Sequence, residues 1–153
     1  MKKIMFLIAV LAIIAVASCN QNSESKENNA DSAVVTEVVN PNLKLQIIYF
    51  HATHRCPTCN SIEANIKQVL EEFFKAEMEK GTITFDVLNA EDEANKALAE
   101  KYQATGAALH LVKIVNGNKI DKDFTEFAFA KSRKQPDEFL LTMKDSIASY
   151  IFN

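Results

Sequence analysis

The sequence predicts an α/β fold, a three-layer sandwich whose mixed central sheet is flanked by helices. Three observations carry that expectation. Strand-like and helix-like stretches alternate through residues 44–153. A Cys-X-X-Cys pair, Cys56 and Cys59, lies where the first apolar run gives way to a helical period. Asn116-Gly117, late in the chain, is a tight hairpin signal.

Each element follows in order. Residues 45–50 are short, apolar and rich in β-formers, as a buried strand requires. From Ser61 the apolar positions Ile62, Ile66, Val69, Leu70, Phe73, Phe74 and Met78 recur at steps of three and four, which predicts an amphipathic helix. Gly81 stands where a helix end favours a left-handed residue. Residues 82–87 alternate strictly, a half-buried strand. Asn89 is placed to cap a next helix, with Glu91, Asp92 and Glu93 in its first turn and Ala94, Ala97, Leu98 and Tyr102 on its apolar face. Residues 109–115 read as a strand that returns antiparallel over 118–124. Pro136 suits the first position of a terminal helix, whose inner face carries Phe139, Leu140, Met143, Ile147 and Ile151.

Ahead of this domain the composition changes twice. Lys2-Lys3 and the apolar run 4–17 read as an export signal. It ends Val16-Ala17-Ser18-Cys19, which resembles the lipobox of bacterial lipoproteins, so residues 1–18 are expected to leave and Cys19 to carry lipid. A membrane-spanning anchor is the alternative, but about 14 apolar residues fall short of the ~20 that cross a bilayer. Residues 20–42 are mostly Asn, Gln, Ser, Glu, Lys and Asp, too polar to order themselves. The stretch 19–43 is therefore expected to be a flexible tether, about 25–30 Å in root-mean-square reach. The expected location is the bacterial cell envelope, lipid-anchored, on the periplasmic side or the cell surface. Disulfides persist there. Loss of Lys2 and Lys3 leaves 15 basic against 20 acidic residues, a net charge of −5. Such a balance offers no nucleic-acid surface.

The chemistry concentrates in His51-Ala-Thr-His54-Arg-Cys56-Pro-Thr-Cys59. The helix N-terminus, with Arg55 and His54 beside it, favours a thiolate at Cys56, the attacking thiol. Cys59, one turn further in, is placed to resolve a mixed disulfide. Pro57 lacks the N–H that would go unpaired in a first turn. Two other readings stand beside exchange. His51, His54, Cys56 and Cys59 offer four ligands for zinc or arsenite, although the spacing is compressed for one tetrahedral site. A static disulfide in a non-catalytic interaction module is the other, but so short a loop constrains the unfolded chain little. By default His51 packs near the loop, His54 is solvated, and His110 is a hydrogen-bonded core residue. Phe124, Phe127 and Phe129 read as core.

The element order is similar to that of thioredoxin-like proteins across residues 44–153. The stretch 49–65 more narrowly resembles the nitrophenyl-compound nitroreductase subunit ArsF family, through its Phe-His-X-Thr-X-Arg-Cys-X-Thr-Cys core. That resemblance implies a redox pair at Cys56 and Cys59 and a membrane dithiol carrier of the DsbD/CcdA type as partner, with protein or small thiols as substrates. No cofactor is expected. Three glycines in the whole chain and no glycine-rich phosphate loop leave little for a flavin or nicotinamide. The chain departs from ordinary thioredoxins twice. The stretch 105–110 has no proline, so a trans loop is expected where thioredoxins carry a cis-proline. No acid lies between Lys44 and Ile62, and Tyr49 occupies roughly the place of the usual buried one.

Overall fold

A computed structural model describes residues 40–153; the expected signal peptide, Cys19 and tether residues 19–39 lie outside the described part. Four strands form one sheet in the order β2-β1-β3-β4. They are β1 (Leu45–His51), β2 (Ile83–Asn89), β3 (Ala108–Val115) and β4 (Asn118–Asp123). β1 runs parallel to β2 and antiparallel to β3, which pairs antiparallel with β4. The apolar run therefore becomes an interior strand, as its composition requires. This mixed sheet between helices is the thioredoxin-like arrangement expected from the element order.

Side-chain alternation along β1 divides the core in two. Leu45, Ile47 and Tyr49 face α1 (Pro57–Phe73) and α5 (Pro136–Phe152), with Leu109 and Leu111 of β3 beside them. Ile48 and Phe50 face the other way, toward Ala99, Tyr102 and Val112. That second layer is thin. It consists of a 3₁₀ turn (Glu93–Asn95) and a short helix, α3 (Lys96–Lys101). Asn89 does not cap it. Its side chain closes a turn by accepting from the Glu91 N–H and donating to Asp92, and the helix starts only at Lys96.

Several boundaries differ from expectation for local reasons. α1 begins at Pro57, as expected from Cys56 at its N-terminus, and so runs ahead of the apolar period that starts after Ser61. The long apolar period breaks at Phe74, whose backbone leaves the helical region, and α2 (Lys75–Glu79) follows as a separate turn. Gly81 does adopt a left-handed φ of 68°. The Thr82 N–H reaches the Glu77 carbonyl and the Gly81 N–H that of Met78, the paired bonds of a Schellman end. Asn116 and Gly117 both take positive φ and turn β3 into β4, as a two-residue hairpin loop demands. After β4 the chain forms α4 (Thr125–Lys131), which the apolar pattern did not announce. Phe124 is buried and Phe127 stacks on Phe139 with ring centroids 5.7 Å apart, whereas Phe129 stays partly exposed. Among the described residues no helix is long and apolar enough to cross a membrane.

Candidate active site

β1 ends at His51 and a five-residue loop carries the chain to Pro57. Cys56 is the N-cap of α1, with extended backbone, and its Sγ accepts from the Cys59 N–H at 3.1 Å. That places sulfur against the unpaired N–H groups of a helix end, where negative charge is stabilised. Pro57 occupies the first turn, as its missing N–H allows. Cys56 and Cys59 are joined by a disulfide with Cα atoms 5.1 Å apart. Cys56 is exposed, and Cys59 is buried at 7%. The pair thus presents one sulfur to an incoming thiol and keeps the other behind it.

Beneath the pair lies Tyr49, fully buried, whose hydroxyl donates to the Cys59 carbonyl at 2.9 Å. Burial raises the pKa of this phenol above its ordinary value, against an opposing pull from Arg55. A tyrosine that stays protonated can hold a carbonyl, but it is no base for the second thiol. Arg55 lies over the Tyr49 ring, 5.8 Å from its centroid, and its Nη1 pairs with Glu63 at 2.5 Å. Lys67 holds the other Glu63 oxygen. The Lys67 hydrogen bond, and after it the contact with Arg55, keep the Glu63 carboxyl below the usual range, although burial pulls the other way. Burial would weaken the Arg55 cation too, but Glu63 and Tyr49 outweigh it. Glu63 is a site neighbour that no spacing rule in the sequence announced. Arg55 lies eight positions before it, across the cysteine turn.

The histidines fall on the rim. His54 is exposed, and His51 is half-buried with its Nδ1 at 3.0 Å from the Ala52 carbonyl. Glu91 does not belong to a helix turn. It accepts from the Thr53 N–H at 3.1 Å, and the Thr53 side chain, then that N–H, with His54 and His51 nearby, hold its carboxyl below the usual range. With both sulfurs bonded to each other, His51, His54, Cys56 and Cys59 do not converge as metal ligands. Among the described residues no group of three or more His, Cys, Asp or Glu side chains does so. His110 is buried on β3, its Nδ1 lies 3.1 Å from both Asp121 oxygens, and it meets the expectation of a hydrogen-bonded core histidine. The loop 105–108 contains no cis peptide, as expected from its lack of proline.

No family model matches the chain, and no curated protein does. Solved structures similar to it include a thioredoxin of Fasciola hepatica, at 18% identity and a TM-score of 0.43, covering 69% of this chain and 86% of that one. A second is described as a malarial protein, at 17% identity and a TM-score of 0.37, covering 60% of this chain and 98% of that one.

Proposed function

We propose that this protein is an extracytoplasmic thiol–disulfide oxidoreductase or electron relay, tethered to the membrane through Cys19 and served by a membrane dithiol carrier of the DsbD/CcdA type. The single observation that carries the chemistry is the disposition of the two sulfurs. One is exposed at a helix N-cap and the other is buried behind it. In the forward exchange a Cys56 thiolate attacks a partner disulfide, forming a mixed disulfide and releasing the partner's other sulfur as a thiolate. Cys59, deprotonated, then attacks Cys56 Sγ, closing the disulfide and releasing the second partner thiolate. The partner gains two electrons and the protein loses two. The reverse sequence delivers electrons from the carrier.

The test is a trap. Cys59→Ser in the full-length protein should accumulate mixed disulfides through Cys56, dispersed by reductant, with an integral-membrane species among them. Cys56→Ser/Cys59→Ser should accumulate none, and Cys19→Ala should release the folded protein from the membrane fraction. A wild-type protein that holds stoichiometric zinc or arsenite tightly, with a Cys59→Ser form that traps nothing, would overturn this reading.

A further inference from the structure

Arg55 is anchored more than a rim arginine needs to be. Its Nη1 is paired with Glu63, and its guanidinium carbon lies over the Tyr49 ring, where the group interacts with that hydroxyl. What the position secures is a closed circuit. Arg55 adjoins Cys56 in the chain, rests on Tyr49, and Tyr49 holds the Cys59 carbonyl, while the disulfide joins the two cysteines. Glu63 enters that circuit from α1, one helical turn beyond Cys59, and is itself shared with Lys67.

We infer that Tyr49, Arg55 and Glu63 form a brace that positions the two sulfurs, in which Glu63 throttles the positive charge Arg55 presents to Cys56. Arg55 and Glu63 are positioning residues that act on the dithiol–disulfide equilibrium in opposite directions. The Arg55 cation stabilises the reduced form, in which Cys56 is a thiolate, and the Glu63 anion cancels part of that field. Tyr49, under the pair, contributes only a neutral phenol, so Arg55 and Glu63 are the charged members of the brace. The inference rests on the exchange function proposed above and names how that site is poised.

The experiment equilibrates the full-length protein with reduced and oxidised glutathione at pH 7, quenches with acid, alkylates, and reads the reduced fraction by mass. Thermal unfolding followed by circular dichroism confirms that each variant is folded. Arg55→Met should lower the equilibrium constant for reduction by about tenfold, and Glu63→Gln should raise it by about three- to tenfold, as removal of one nearby charge at an intermediate dielectric implies. Arg55→Lys should recover part of the loss, since it restores the charge but not the guanidinium's joint contact with Tyr49 and Glu63. Shifts of the same sign for Arg55→Met and Glu63→Gln, or shifts below about twofold in both, would overturn the inference while leaving exchange intact. A wild-type disulfide that neither glutathione nor excess dithiothreitol can reduce would overturn the exchange function, and the brace's role with it.

Discussion

The two faces of the sheet are built to different depths. On the α1/α5 face seventeen buried residues form one continuous cluster, whereas the α3 face gathers seven. Strand chemistry is shared, because β1 and β3 supply both. The difference lies in what covers them. Among the described residues, α1, α2, α4 and α5 pack on the first face, whereas the six-residue α3 and the 3₁₀ turn before it cover the second. A cleft of about 430 Å³ therefore remains beside His110, Asp121 and Asp123. The dithiol helix belongs to the deep face. Its buried stripe of Cys59, Ile62, Ile66, Val69 and Leu70 runs directly from the buried cysteine into the core. Reactive loop and core are thus one mechanical unit, and the thin face lies outside it.

Same-chemistry truncations give the sharpest test of that comparison. Ile66→Ala on the deep face should cost about 4 kcal/mol, toward the upper end for a cavity that neighbours cannot fill. Ile48→Ala, equally buried but on the thin face, should cost about 2–3 kcal/mol, since α3 can settle inward. Urea unfolding of both variants measures this, and an Ile48→Ala cost equal to or above that of Ile66→Ala would break the comparison. Tyr49→Phe should cost about 0.5–1.5 kcal/mol by removing the phenol's hydrogen bond to the Cys59 carbonyl, which keeps its place in the helical ladder. It should also speed reduction of the disulfide, which hydrogen-exchange protection at Cys59 and a dithiothreitol time course would detect. In the reduced protein, Cys56 should alkylate at least about tenfold faster than Cys59 at neutral pH, measured on the two single Cys→Ser variants. Equal rates would mean that the deep face does not shield the second sulfur.

The smallest effect expected is a pH dependence. Glu63 has its pKa lowered below the ordinary 4.5 in the folded protein. Its contribution to stability is therefore complete above that ordinary value and disappears as pH falls through the lowered one. Glu63→Gln should flatten the acid side of the stability curve between about pH 5 and pH 3, with little change near pH 7 beyond the loss of the ion pairs. An acid limb as steep as that of the wild type, in parallel urea titrations, would show that the carboxyl is not held as the geometry indicates.

How much of this could be read from residues alone follows from what each element depends on. β1 and β3 were visible because interior strands need unbroken apolar runs, and the hairpin because only a few dipeptides tolerate two positive φ values. Cys56 at the helix start was visible from Pro57 beside it. α4 was not. Its entry depends on the Asp123 carboxylate accepting the Thr125 N–H, and its apolar residues crowd into Phe124, Phe127 and Ala128 with no longer period to register. The break at Phe74 was hidden for the opposite reason, since the apolar spacing continues through it. Tyr49 was singled out by position, but its partner Cys59 and the Arg55–Glu63 pair depend on how the cysteine turn folds back over β1. The family likeness drawn from residues 49–65 is matched by no family model, and the fold is what the structure supports.

The turn around Gly81 fixes where the described chain enters the domain. Asn40 donates to the Gly81 carbonyl, and a Cβ at Gly81 would come within 2.3 Å of the Asn40 amide, so this glycine admits the incoming chain. The incoming chain is thereby fastened where β1 begins, and the thiols sit where β1 ends, about 20 Å away along a seven-residue strand. The described chain thus enters the domain beside one end of β1, and the cysteine pair lies beyond the other.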